Sequence, residues 1–207
     1  MISAREALQQ LREGNLRFAS GDRIRGSKTS QEFRDELAAE QTPFAVVLGC
    51  SDSRVPAEIV FDQGLGDLFV IRVAGNIVAP SQSASVEFAT KQLGARLVVV
   101  LGHSRCGAVQ ATLEELRHPN TGQPGNMHAI VSRIRSAVEA VIDGGPYENP
   151  EELMHRAVHA NVQASAAQLQ HGSEVLDDLI RNKGLLIVGA VYSLETGLVE
   201  FLDGAPA

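Results

Sequence analysis

Four short runs of apolar residues, separated by segments with helical periodicity, constrain the fold of this 207-residue chain more than any other feature. The runs cover residues 44–48, 68–71, 97–101 and 185–188. Each is too short for a helix and contains β-branched residues, which predicts a strand buried on both faces. Because strands that alternate with helices form parallel sheets covered on both sides, the predicted fold class is α/β.

The segments around these runs predict a mostly parallel central sheet flanked by helices. Helical patterns cover 56–62, 83–93, 108–117 and a long region from about 127 to 179, which Gly144, Gly145 and Pro146 interrupt. A tight turn at 195–197 precedes a last strand, 198–202, which we expect to pair antiparallel at an edge of the sheet.

The N-terminal region predicts a helical arm. Ser3 and Glu6 have the spacing of a capping box, and the apolar residues that follow fall on one helical face: Ala7, Leu8, Leu11 and Phe18. A second short helix is predicted over 31–39. Such helices must pack on the body or on a second subunit. We therefore predict a single domain, 1–207, with a helical arm at 1–40 and an α/β body at 41–207.

Composition and charge exclude two classes of partner. No run of 18 apolar residues occurs, which argues against a membrane-spanning helix. The net charge of -7 argues against nucleic acid as a partner, since nucleic-acid binding needs a basic face. The N-terminus lacks an apolar core of signal-peptide length, so a cytoplasmic location is expected.

Polar segments that follow the first and third strands carry the candidate chemistry. They contain the only two cysteines of the chain, Cys50 and Cys106, together with His103. If the two strands are neighbours, these three side chains converge at the carboxyl edge of the sheet. Thiolate and imidazole suit zinc, and three protein ligands leave the fourth position open, as in catalytic zinc sites. The alternative is that both thiols are inert core residues.

Asp52 and Arg54 follow Cys50 closely enough to pair with each other. A carboxylate beside a metal either orients a metal-bound water or occupies the fourth position itself. An adjacent arginine keeps the carboxylate ionised and holds it by a bidentate contact. The alternative is an ordinary surface ion pair.

The segments 50–55 and 103–107 resemble the pattern of the β-class carbonic anhydrases, and the resemblance extends through 61–67, 71–76, 85–89 and 189–192. It implies a zinc ion, Zn2+, on Cys50, His103 and Cys106. It also implies the reversible hydration of carbon dioxide to bicarbonate and a proton, by attack of zinc-bound hydroxide. Asp52 and Arg54 are the implied catalytic pair, with Asp52 accepting a hydrogen bond from the hydroxide.

The same resemblance implies substrate-binding residues. Gln41 matches a position at which many members hydrogen-bond a bicarbonate oxygen, although it also suits a capping or surface role. Four apolar residues fall near positions that line the CO2 pocket, some of them across a dimer, although core packing would explain them equally: Phe69, Val73, Ala74 and Phe88.

Members of this family come in two kinds, with the fourth zinc position either open or closed by the aspartate. The closed, bicarbonate-regulated kind resembles a pattern with a tryptophan where this chain has Val47, although Arg72 and Tyr192 match its other residues. Together with Gln41, this favours the open kind, and Arg72 is then predicted to be a structural ion-pair partner. The resemblance also implies a homodimer or homotetramer.

Two other functions stay open at this point. One is a related zinc hydrolase that acts on COS or CS2, and the other is a non-catalytic zinc-binding module. The Asp52–Arg54 pair argues against the second, because a structural site needs no carboxylate to orient water. The proton route is not predicted, since the remaining histidines are each expected to be exposed surface residues: His118, His128, His155, His159 and His171.

Overall fold

A five-stranded, mostly parallel sheet organises the computed structural model, which describes residues 2–23, 30–118, 125–147 and 149–202. The strand order is β2-β1-β3-β4-β5, and only β5 runs antiparallel to its neighbour. This arrangement confirms the α/β fold and the antiparallel edge strand. The strands are β1 (Ala45–Gly49), β2 (Leu68–Arg72), β3 (Leu97–His103), β4 (Leu186–Tyr192) and β5 (Val199–Phe201).

Helices cover both faces of this sheet, and they therefore bury the alternating side chains of β1 and β3 on both sides. Val46 and Val98 belong to a core cluster shared with the helices from α4 to α8. Val47 and Val99 belong to a second cluster, shared with α1 and α3. The helices are α1 (Ala4–Ser20), α2 (Gln31–Leu37), α3 (Ala57–Val60), α4 (Pro80–Lys91), α5 (Gly107–Arg117), α6 (His128–Asp143), α7 (Pro150–His171) and α8 (Glu174–Lys183).

The long helical region expected between about 127 and 179 consists of three helices rather than two. The predicted break at Gly144 separates α6 from α7. A second break, missed in the sequence, lies at Ser173, whose side chain accepts a hydrogen bond from the backbone N–H of Leu176 and so caps α8. Among the helices that the structure describes, none combines the length and apolar character needed to cross a bilayer.

The first helix packs against the body of its own chain. Ser3 and Glu6 form the predicted capping box, with hydrogen bonds in both directions. Ala7, Leu8 and Leu11 are buried in the cluster that also holds β1 and β3 side chains, whereas α2 buries no residue. The sheet edge that carries the polar segments is therefore supported on one face by α1 and on the other by the helices α4 to α8.

Candidate metal centre

Cys50, His103 and Cys106 meet at the carboxyl ends of β1 and β3, which are adjacent parallel strands. Cys50 follows β1 directly, His103 is the last residue of β3, and Cys106 is the N-cap residue of α5. Their ligand atoms all lie within 4.8 Å of one another, and the two sulfurs are 4.0 Å apart. All three residues are buried. The structure thus brings together the three residues that the sequence predicts as metal ligands.

The imidazole of His103 presents a free lone pair to this cluster. Its Nδ1 lies 2.9 Å from the carbonyl oxygen of Ser104, so Nδ1 carries the ring proton and donates a hydrogen bond to that oxygen. Its Nε2 is buried and has no hydrogen-bond partner among the described residues. Buried polar atoms are rarely left unpaired. A metal ion held by Nε2 and the two sulfurs would satisfy this atom, and the donor set of two thiolates and one imidazole fits zinc.

The two thiols interact with each other through a short contact between their sulfurs. The hydrogen bond between them lowers the pKa of Cys50, while the same hydrogen bond and burial raise the pKa of Cys106. One sulfur is thus stabilised as a thiolate at the expense of the other. A metal cation bound there would replace the shared proton and favour the thiolate form of both sulfurs.

Gly75 supports Cys50 through its backbone, and this residue was not singled out in the sequence. Its N–H lies 3.3 Å from the Sγ of Cys50 and donates a hydrogen bond to it. Gly75 adopts a positive φ of 72°, and a Cβ there would lie 2.8 Å from Cδ1 of Ile134. The side chain of Asn161 donates to its carbonyl oxygen at 2.9 Å. Only glycine therefore fits this position without strain or displacement.

Asp52 and Arg54 form the predicted pair beside the cluster. Nε and Nη2 of Arg54 donate to the two carboxylate oxygens of Asp52 at 2.9 and 2.7 Å, and the Arg54 backbone N–H donates as well. These hydrogen bonds hold the pKa of Asp52 well below its usual value, so the carboxylate is ionised. Its Oδ2 lies 3.8 Å from Nε2 of His103, at the edge of the metal-ligand cluster.

Arg72 has a different role from the expected ion-pair partner. Its Nε donates to the carbonyl oxygen of Cys50 at 3.1 Å, and its Nη2 donates to the carbonyl oxygen of Asp52 at 2.6 Å. Arg72 thus fixes the backbone of the loop that carries both residues. The expectation of an ion pair was wrong because Arg72 donates to main-chain carbonyls of the loop that follows β1. A sequence pattern does not reveal such partners.

The predicted substrate-binding residues lie on several different elements of the fold. Phe69 on β2 and Phe88 on α4 contact each other, with ring centroids 6.2 Å apart, and Phe88 is 49% exposed. Val73 and Ala74 are partly buried and directly precede Gly75. Gln41 is exposed in the segment before β1.

The remaining histidines match the surface expectation with one exception. His118, His128, His155 and His171 are exposed. His159 is half-buried, with a side chain 19% exposed, and lies next to His155 and Glu200. The expectation was wrong for His159 because α7 packs against β3 and β4, and the sequence does not show that packing.

Comparisons with known proteins identify what this arrangement is similar to. A sequence model of the family described as "Carbonic anhydrase" matches residues 45–199. "Carbonic anhydrase 2" of Mycobacterium tuberculosis is 40% identical over 197 residues, which cover 95% of this chain and 92% of that protein. The solved β-carbonic anhydrase CcaA has a TM-score of 0.78 at 28% identity, with 95% of each chain covered. A structure from the fungus Sordaria macrospora, described as a tetrameric β-carbonic anhydrase, has a TM-score of 0.74 at 23% identity, with 98% of this chain and 100% of that chain covered.

Proposed function

The chain belongs to the β-class carbonic anhydrase family, and from this premise we propose that it catalyses the zinc-dependent, reversible hydration of carbon dioxide to bicarbonate and a proton. One observation carries the proposal. Two thiols and an unpartnered, buried imidazole nitrogen converge within 4.8 Å beside a carboxylate that an arginine holds ionised. A metal-ligand cluster without catalysis would need no such carboxylate.

Cys50, His103 and Cys106 are the proposed zinc ligands. Zinc bound there would lower the pKa of a water molecule toward about 7 and so supply hydroxide at neutral pH. The chain prepares these ligands in advance. Gly75 donates its N–H to the Cys50 sulfur, and the Ser104 carbonyl fixes the His103 tautomer that leaves Nε2 unprotonated.

Asp52 is the proposed catalytic carboxylate, and Arg54 holds it in place. Ionised Asp52 would accept a hydrogen bond from the attacking hydroxide. This hydrogen bond would direct a lone pair of the hydroxide oxygen toward the carbon of CO2. With zinc bound, the hydroxide oxygen would form a new C–O bond as one C=O electron pair moves onto oxygen, which would give bicarbonate, and the proton of the original water would leave to solvent. Because Arg54 occupies both carboxylate oxygens, we propose that Asp52 stays off the metal and that the fourth position remains open.

Substrate binding is proposed for Gln41, Phe69, Ala74 and Phe88. A carboxamide suits a bicarbonate oxygen, and aromatic and alanine side chains suit apolar CO2. Phe88 is half-exposed against Phe69, and α2 buries no residue. Both features support assembly into a homodimer or homotetramer in which a partner covers these surfaces. We also propose that residues 1–207 form a single domain and that the protein is located in the cytoplasm.

Stopped-flow CO2 hydration, combined with metal analysis of the same samples, tests this function. We expect zinc-loaded protein to accelerate hydration far above buffer. His103→Gln and Cys106→Ser should lose both zinc and activity, whereas Asp52→Asn should keep its zinc and lose activity by about 10²-fold or more. His128→Gln changes an exposed histidine at the start of α6 and serves as the matched control, with zinc and rate unchanged.

Two outcomes would contradict the proposal. Zinc-loaded protein that hydrates CO2 no faster than buffer, with all positions filled by protein ligands, would point to a non-catalytic zinc module. Faster turnover of COS or CS2 than of CO2, measured on the same preparation, would instead identify a related hydrolase.

A further inference from the structure

A second group of metal-ligating side chains consists of residues that do not belong to the candidate metal centre. His155 and His159 are one helical turn apart on α7, and Glu200 lies on the edge strand β5. One ligand atom from each residue lies within 4.8 Å of the other two. Two histidines at positions i and i+4 share one face of a helix, which is the spacing by which helices chelate zinc.

The imidazole of His159 gives this group a physical reason to bind a cation. Its Nε2 is buried and has no hydrogen-bond partner among the described residues. The nearest acidic oxygen is Oε2 of Glu200, at 3.8 Å, which is too far for a hydrogen bond. An unpaired buried nitrogen is costly, and a cation between His159 and Glu200 would satisfy both groups.

Protonation of the two histidines is a poor alternative to a metal ion. Their ring centroids are only 4.2 Å apart, so two positive charges would repel each other strongly. Burial and the charge of His155 lower the pKa of His159. His159 therefore keeps a free lone pair near neutral pH, which is the form in which histidine binds metals.

The surroundings leave room for an additional ligand. His155 and His159 both line a cavity of about 500 Å³, which apolar side chains such as Leu153 and Val158 also line. Two imidazoles and one carboxylate form a donor set that zinc uses when one coordination position stays open. His155 and Glu200 are exposed, so small rotations of their side chains can shorten their distances to a common ion.

We propose that His155, His159 and Glu200 form a second metal site, which binds a borderline divalent cation such as Zn²⁺. The ion is held by two nitrogens and one carboxylate, and its remaining position faces the cavity beside α7. Nickel and copper ions share this preference for imidazole, whereas magnesium and calcium prefer sites composed of oxygens.

Cobalt titration of protein that already holds one equivalent of zinc tests the proposal. Cobalt in a site without sulfur shows only weak ligand-field absorption, whereas cobalt on thiolates adds an intense sulfur-to-metal charge-transfer band. We expect wild type to bind one further equivalent of cobalt without the charge-transfer band. His159→Gln and the exposed variant His155→Gln should each lose this equivalent, and Glu200→Gln should weaken it.

His171→Gln is the matched control, because it changes an exposed histidine at the end of the same helix. It should bind cobalt as wild type does. Failure of wild type to bind the further equivalent of cobalt would overturn the proposal. The same would follow if the His155 and His159 variants bound that equivalent as well as wild type does. A second equivalent that binds only with the charge-transfer band has entered the cysteine site instead, and this result would also overturn the proposal. None of these readouts depends on CO2 hydration, so the result is separate from the proposed function.

Discussion

The Oδ2 atom of Asp52 lies 3.8 Å from the Nε2 atom of His103, which is too far for a hydrogen bond. Arg54 accounts for this separation, because it binds both carboxylate oxygens in a forked contact. The carboxylate therefore lies beside the candidate metal centre, in the position in which Arg54 holds it.

Arg54→Ala should release this carboxylate. Loss of the forked contact lets Asp52 rotate and raises its pKa toward the ordinary value, because the hydrogen bonds from Arg54 are the main cause of the lowering. We expect kcat/KM for CO2 hydration to fall by about 10²-fold, the scale expected for a misplaced catalytic group. Arg54→Lys should recover little, since an ammonium group cannot form the forked contact.

The control for this prediction is Arg181→Lys, which changes another Arg–Asp pair, formed with Asp177 on the surface of α8. Its hydration rate should equal that of wild type. Zinc content measured on each variant separates a misplaced carboxylate from a lost metal ion. A full rate in Arg54→Ala with bound zinc would show that Asp52 needs no such support.

Gly102→Ala should disturb the position of His103, the next residue along β3. A Cβ at residue 102 would overlap Cγ2 of Val162, a fully buried side chain of α7. Because α7 and β3 pack directly together, one of them must move. We expect the free energy of unfolding to fall by about 1–3 kcal/mol, the usual cost of overpacking. Urea denaturation and zinc analysis measure the two effects.

Gly107→Ala offers the matched control, since an added Cβ there meets no atom within 4 Å. Gly107 is the first residue of α5, one position after Cys106, so the control is equally close to the metal centre. Stability and zinc content should match those of wild type. Equal stability of the two alanine variants would contradict the overlap at Gly102.

The sheet and the three candidate ligands could be predicted because their signals are local. A strand buried on both faces is a continuous apolar run, as in β1 and β3, and polar residues that follow such runs fall at the carboxyl edge. The convergence of Cys50 with His103 was conditional, since the sequence did not show that β1 and β3 are neighbours. Strand order β2-β1-β3 supplies that link.

Contacts between distant segments explain what could not be predicted. The Gly75 N–H reaches Cys50 because of a left-handed backbone turn, and Arg72 reaches main-chain oxygens rather than an acid. The approach of His159 to Glu200 brings together side chains of α7 and β5, two elements that are not adjacent in the chain. No residue pattern encodes such distances, because they depend on packing between segments far apart in the chain.

Asn15→Ala should destabilise the chain through lost hydrogen bonds rather than lost packing. Asn15 is buried in α1 and makes three hydrogen bonds to backbone groups: its Nδ2 donates to the carbonyls of Val60 and Gly197, and its Oδ1 accepts from Val199. Removal leaves these backbone groups unpaired, at a cost of about 2–4 kcal/mol in the free energy of unfolding. Urea denaturation should show this loss.

Asn182→Ala is the control for Asn15, because Asn182 is exposed and its side chain donates to the Asp178 side chain one turn earlier in α8. Its effect should stay within about 0.5 kcal/mol, as is usual for surface changes. An Asn15 variant as stable as this control would mean that the three backbone groups find other partners.

Glu6→Gln should make the stability of α1 depend less on pH. The backbone N–H and the hydroxyl of Ser3 lower the pKa of Glu6, so folding favours its ionised form. The resulting stabilisation is present above the ordinary pKa of about 4.3 and is lost as pH falls through the lower native value. Urea denaturation should therefore find Glu6→Gln less stable than wild type at pH 7, with a difference that shrinks at pH 3.

Glu13→Gln is the control on the same helix, since Glu13 accepts from the Gln9 side chain rather than from the backbone. A difference for Glu6→Gln that stays constant from pH 7 to pH 3 would show that the charge of Glu6 does not stabilise the capping box.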